Sequence, residues 1–280
     1  MKDYFGYKDK ICVVTGAASG MGKAATEMLV DLDAKVYALD WAEVTSPGIE
    51  KYIQVNLAEK ASIDKAFKEI PGEIDCFFGI AGVAGDKHDF HTTFTIDFIA
   101  NKYITQEYLA TRVVSGGAIA FITSTAGWGW NRPEIQAEYI AVIEPVGWEA
   151  TYAAMEGLGR KDEAGKFAYR LSKRTMNYYI ATILTEFLAK EIRVNAVLPG
   201  PTISGLTDSF AKNAGGMDNL IARGGVAKRL AESREMGEPI VFLNSNMASY
   251  MSGVMLDVDF GKHLLMEAGI LDEVPKPIWS

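Results

Sequence analysis

Short β-branched runs alternate with longer amphipathic stretches along nearly the whole chain, and this alternation limits the fold more than any single motif does. Ile11–Thr15, Lys35–Leu39, Tyr52–Val55, Ile74–Ile80, Ala118–Thr123, Ile192–Leu198 and Val254–Val258 read as buried strands. Helical periodicity falls at about 21–32, 62–70, 93–113, 166–190 and 232–246. Repeated strand–helix alternation requires right-handed crossovers, and these build a parallel sheet with helices on both faces. The predicted fold is therefore α/β: one doubly wound parallel sheet of about seven strands. No internal repeat and no Gly/Ser- or Pro-rich linker divides the chain, so 1–280 reads as a single domain. Two segments interrupt the pattern, 128–165 and 201–231, and loops this long in a compact domain usually carry function.

Composition removes several classes. With 49% hydrophobic and 23% charged residues the chain has material for a large core and is neither disordered nor a coiled coil. No apolar run approaches the roughly 20 residues that cross a bilayer, and the first eight residues hold no signal-peptide stretch. Cys12 and Cys76 both lie in apolar runs, which is the usage of buried thiols and points to a reducing cytoplasm. Lys and Arg number 28 against 36 Asp and Glu, a formal charge of −8, so nucleic acid is an unsuitable partner. A small-molecule enzyme is the class that remains.

Between the first strand and first helix, Thr15-Gly16-Ala17-Ala18-Ser19-Gly20-Met21-Gly22 spaces three glycines as Gly-x3-Gly-x-Gly. Gly16 would turn the chain off the strand, Gly20 would let backbone approach a pyrophosphate, and Gly22 would allow close packing. The helix N-terminus adds free N–H groups and partial positive charge. Asp40 ends the second strand, where a carboxylate could accept hydrogen bonds from an adenosine ribose. A purely structural turn reads the same way, and so does the opening of a nucleotide-binding methyltransferase. Tyr169-Arg170-Leu171-Ser172-Lys173 decides between them. Tyr and Lys four apart share one helix face, and an ammonium beside a phenol lowers its pKa toward that of a usable base.

These motifs, in this order, resemble the short-chain dehydrogenase/reductase family, whose fold is Rossmann-type. The match covers almost the whole chain. The cofactor turn is Thr15-Gly16-x3-Gly20-x-Gly22, the fourth-strand motif is Gly79-Ile80-Ala81-Gly82, and Pro199-Gly200-Pro201-Thr202 matches the segment beside the nicotinamide. The resemblance implies an NAD site over Gly16, Ser19, Gly20, Met21, Gly22, Asp40, Trp41, Asn56, Leu57, Ala81, Gly82, Tyr169, Lys173, Pro199, Gly200, Thr202 and Ser204. It implies catalysis by Tyr169, with Lys173 tuning it, Ser124 orienting the oxygen and Asn101 completing a proton relay. Thr123 and Thr125 compete with Ser124 if the register slips by one.

The departures carry information. Gly79-Ile80 replaces a pair of asparagines, the third helix is short, and 45 positions separate Ser124 from Tyr169 where the family has about a dozen. This combination is similar to the bacterial 3α-hydroxysteroid dehydrogenase/carbonyl reductase branch. It implies a hydroxysteroid or bile-acid substrate, with a smaller polyol or hydroxy-ketone as the alternative, and a homo-oligomer, dimer or tetramer. The insert is expected to form two short helices over the outer part of the sheet, broken at Pro145 and Gly147. Its Trp128, Trp130, Tyr139 and Trp148 are expected to support a flat apolar substrate. Segment 201–231 is expected to offer few charges, with Arg223, Lys228, Arg229 and Arg234 on a solvated helix face. His88-Asp89-Phe90-His91 reads as a solvated loop, not a metal pair.

Overall fold

The computed structural model describes residues 3–160 and 165–271. Its seven strands are β1 (Ile11–Thr15), β2 (Lys35–Asp40), β3 (Lys51–Gln54), β4 (Ile74–Gly79), β5 (Val113–Ile122), β6 (Arg193–Pro199) and β7 (Met255–Val258). All pair in parallel, in the order β3-β2-β1-β4-β5-β6-β7. Strand order reverses between β1 and β4, so the crevice beyond the carboxyl ends of these strands is where a ligand is received.

Alternate residues of each strand serve opposite faces. Val13, Leu39, Phe77, Ile119 and Val194 share one apolar cluster, while Cys12, Val14, Val36, Phe78 and Ala120 share the other. The second face is covered by α1 (Gly20–Asp31) and the Pro-containing helix over 234–244. The first is covered by α2 (Lys60–Lys68), a bent helix over 90–112 and the long helix over 165–189. The bent helix comprises α3 (Phe90–Phe94), a π-turn at Thr95–Ile99, α4 (Ala100–Ile104), a π-turn at Thr105–Leu109 and α5 (Ala110–Arg112). π-turns inside helices mark functional positions more often than structural ones, and Asp97 and Asn101 lie in and just after the first. Asp89 caps α3 by accepting from Thr92 N–H at 2.7 Å.

The insert does form two helices, α6 (Gln136–Ile143) and α7 (Trp148–Gly157), with the break at Pro145 and Gly147. They rest on helices, not on the sheet. Trp148 meets Tyr103 edge-on at 5.7 Å, Tyr139 meets Tyr178 of the long helix at 6.0 Å, and Val142 and Met155 are fully buried. Lys102 locks the join: its buried ammonium donates to the carbonyls of Val142 and Pro145 and to Thr151 Oγ1. The reason is that a short parallel sheet already has both faces covered, so added apolar stripes must pack a layer farther out. The remaining helices are α8 (Gly165–Ala189), α9 (Thr207–Ala214), α10 (Met217–Ala222), α11 (Arg234–Asn244) and α12 (Lys262–Glu267). Segment 201–231 is thus largely helical, with a small core of its own from Ala211, Leu220 and Leu230.

Candidate active site

The glycine turn has the geometry its spacing predicts. Gly16 has φ +75° and Gly20 φ +55°, conformations that side chains disfavour. A Cβ at Gly22 would lie 2.0 Å from Gly16 O, so the third glycine closes the turn on itself. Thr15 Oγ1 accepts from the N–H groups of Ile80 and Ala81, at 3.1 and 3.3 Å, which ties the turn to the end of β4. An asparagine would not fit at position 79: a Cβ there would meet the Phe121 ring at 2.4 Å. Thr15 therefore provides side-chain support at this crossing.

Asp40, buried at the end of β2, accepts from Ala18 N–H and Ala42 N–H, both at 3.0 Å. Each carboxylate oxygen keeps a lone pair for a ribose hydroxyl. Trp41 is exposed beside it, Leu57 is buried, and the Asn56 side chain is occupied by Ala58 N–H and Glu59 in its own turn. Along the strand ends this forms the adenosine side of a dinucleotide site, with the N-terminus of α1 at its middle. The donor set fits a nicotinamide dinucleotide.

At the other end lies a cleft of about 610 Å³, lined by Met21, Gly82, Ser124, Tyr169, Lys173, Pro199, Gly200, Thr202 and Ser204. The three neighbouring hydroxyls, all at the cleft, differ in what they meet. Thr123 Oγ1 and Thr125 Oγ1 donate to Val197 O and Pro199 O, whereas the Ser124 hydroxyl bonds the Tyr169 phenol and accepts from Ala126 N–H. Phe210 of α9 packs edge-on against Tyr169 at 5.3 Å. Lys173 Nζ lies 5.5 Å from the Tyr169 ring centroid. Asn101 is buried; its Nδ2 donates to Asp97 O, its Oδ1 has no partner among the described residues, and its carbonyl accepts from Thr105 Oγ1.

Electrostatics at the phenol run opposite to expectation. Burial pushes Tyr169 well above its ordinary value and the charge of Asp97 adds to this; only the bond from Ser124 opposes. Asp97 is the residue that sequence reading overlooked. It is 1% exposed, accepts from Val83 N–H at 2.8 Å, faces Ser172 Oγ at 3.4 Å, and sits within the field of Lys173. Burial raises its own pKa while Lys173 pulls it down. An acid one turn before Asn101 on the same helix, in a run of otherwise apolar and aromatic residues, was the available signal.

Two expectations about the cleft are corrected. Of the four aromatics assigned to the substrate, only Trp128 lines this cleft; Trp130 faces a neighbouring hollow and Tyr178, and Tyr139 and Trp148 are spent on helix packing. Arg229 and Arg234 do pair with Glu235 and Glu238 at the surface, but Arg223 turns into the cleft. Segment 201–231 does supply charge to the cleft.

A seven-stranded doubly wound sheet with a glycine-rich first turn and a Ser–Tyr–Lys constellation beyond β5 defines an oxidoreductase of alcohols and ketones. Residues 10–141 match the family model described as short chain dehydrogenase, and 151–263 match the one described as enoyl-(acyl carrier protein) reductase. The chain belongs to the short-chain dehydrogenase family. It is 27% identical to coniferyl-alcohol dehydrogenase of Pseudomonas sp. (strain HR199 / DSM 7063), covering 90% of this chain and 96% of that one. It is 26% identical to cis-4-hydroxycyclohexanecarboxylate dehydrogenase of Sinomonas cyclohexanicum, over 91% and 97%. Among solved structures, 3-alpha-hydroxysteroid dehydrogenase from Pseudomonas sp. B-0831, complexed with NADH, superposes with TM-score 0.77 at 22% identity, over 92% and 98%.

Proposed function

We propose that this protein is an NAD-dependent dehydrogenase/reductase that interconverts a secondary alcohol and a ketone on a flat, largely apolar ring skeleton, a hydroxysteroid or bile acid. The reading rests on one observation above others: Ser124, Tyr169 and Lys173 converge in a single cleft with Gly82 and Pro199. Asp40 supports NAD. Its carboxylate is anchored by two backbone N–H groups, so it cannot swing aside to admit a 2′-phosphate. Trp128, Leu206, Phe210, Leu220 and Met266 give the outer cleft an apolar floor.

In the proposed mechanism a bound nicotinamide supplies or accepts the hydride. Ser124 Oγ and Tyr169 Oη bond the substrate oxygen and fix its position. In reduction the neutral Tyr169 phenol donates its proton to that oxygen, and burial keeps this proton in place until then. In oxidation the same oxygen atom of Tyr169 takes the alcohol proton. Lys173 opposes the charge that Asp97 places near the phenol, and Asn101 is positioned by Asp97 O behind them.

A homo-oligomer, dimer or tetramer, in a reducing cytoplasm completes the proposal. Cys12 and Cys76 are free and buried, which suits a reducing compartment. Because Val142 and Met155 are core residues, assembly is best tested by light scattering of the whole chain over a dilution series. NADH formation with 3-hydroxy bile acids, small polyols and acetoin tests the substrate. Higher kcat/KM for the polyols or acetoin would move the assignment to the smaller substrates.

A further inference from the structure

The substrate cleft carries an excess of positive charge that the catalytic machinery does not use. Beyond Lys173 it is lined by Arg132, Lys166, Arg170, Arg174, Arg223 and Lys262, and by no Asp or Glu among the described residues. This occurs in a chain of net charge −8, so it is a local arrangement working against the global balance.

Three of the cations, Arg132, Arg170 and Arg174, act on one another beside Trp128. Arg170 and Arg174 lie one turn apart on α8, beside Tyr169 and Lys173 in sequence, and Arg174 Nε donates to Trp128 O at 3.1 Å. Across the cleft, His263 stacks on the Trp128 ring at 4.1 Å, with Lys262 next to it, and Arg223 follows α10. The nearby carboxylates are engaged behind this stack: Asp257 accepts from Trp128 Nε1 at 2.7 Å, and Asp259 holds His263. The charges also act on one another. Burial lowers the pKa of Arg174, with repulsion from Arg170 and Arg132 adding to it and Tyr139 opposing; burial lowers that of Lys262, with Asp259 opposing and Arg223 contributing. Like charges gathered in a half-buried cleft are unfavourable by themselves, and an anion in their midst reverses the sign. Asp40, where the cofactor's ribose belongs, ends β2 toward the other edge of the sheet, and the glycine turn lies between, touching the cleft through Met21.

We infer that the alcohol or ketone substrate is itself an anion, with a carboxylate or sulfonate remote from the reacting carbon that is received by Arg132, Arg170 and Arg174 beside Trp128. This deepens the proposed function and rests on it for the position of the reacting oxygen. It separates acidic from neutral members of the ring-alcohol class: a bile acid fits, a neutral steroid does not.

The test compares lithocholate and its taurine conjugate with lithocholate methyl ester, and cis-4-hydroxycyclohexanecarboxylate with its methyl ester. Turnover with NAD is measured for the wild type, and binding is measured by Trp fluorescence in the NADH-loaded Tyr169→Phe protein, which needs no turnover. Within each set the anions should exceed the ester roughly tenfold or more in kcat/KM and in affinity, and the advantage should shrink toward one in the double variant Arg132→Gln/Arg170→Gln. It should also fall as salt rises. A preference confined to the small pair supports the anion site while overturning the steroid reading. Esters that bind and turn over as well as the acids overturn the anion site and leave the dehydrogenase standing. Failure of every acid to bind the Tyr169→Phe complex also overturns it.

Discussion

Asp97 and Lys173 face each other across Gly82: a Cβ at that glycine would lie 3.0 Å from Asp97 Oδ1 and 3.3 Å from Lys173 Nζ. A larger residue there would crowd both charged groups, and one of them would have to give by a few tenths of an ångström. Lys173 therefore acts on Asp97, and Asp97 in turn raises the pKa of the Tyr169 phenol. Asp97→Asn removes the negative charge, so the Tyr169 pKa falls. In the oxidation direction, which needs the deprotonated phenol, the limb of the kcat/KM–pH profile moves to lower pH. A limb that stays in place would mean Asp97 does not act on Tyr169.

Tyr169→Phe should lower turnover by about 10²- to 10⁴-fold, the range for loss of a positioned proton carrier. NADH affinity should stay nearly unchanged, since the ring still packs against Phe210. Fluorescence titration alongside steady-state kinetics separates the two quantities. Activity above a few per cent of wild type would reassign the proton to another group.

Asp40→Ser should shrink the preference for NAD over NADP roughly tenfold or more, by removing a charge fixed through Ala18 and Ala42 N–H. The readout is the ratio of kcat/KM for the two cofactors. Equal efficiencies in the wild type would already contradict the role given to Asp40.

Lys102 gives the fold a pH-dependent element remote from catalysis. Burial lowers its pKa to about 8, and its partners are neutral oxygens of the insert. Below pH 8 folded and unfolded chains both carry the proton and the cost of burying it is complete. As pH rises toward the ordinary lysine value near 10.4, the folded chain sheds the proton first and that cost is relieved. The stability of wild type minus that of Lys102→Met should therefore climb by up to about 3 kcal/mol between pH 8 and 10.4, and stay flat below pH 8. Urea unfolding at pH 7, 9 and 10.4 measures it; a flat difference across the series would place the ammonium in contact with solvent.

Much of this protein is local chemistry and was legible without a structure. The seven strands, the positive-φ glycines at 16 and 20, the two insert helices and the Tyr169–Lys173 pair all follow from rules that reach across five or fewer residues: alternation, turn preference and helix periodicity. Periodicity says which residues share a face but not what the face meets. For that reason Trp148 and Tyr139, rightly read as buried, were assigned to the substrate when Tyr103 and Tyr178 take them. Arg223 looked like its surface neighbours Arg229 and Arg234, yet it turns inward. The surroundings of Asp97, the different partners of Thr123, Ser124 and Thr125, and the meeting of α8 and α12 at Trp128 depend on contacts between segments tens to more than a hundred positions apart. Sequence determined the elements and the chemical groups available. Tertiary packing decided which charges are desolvated together, and charge in a cleft acts through distance and dielectric, neither of which is a property of the linear chain.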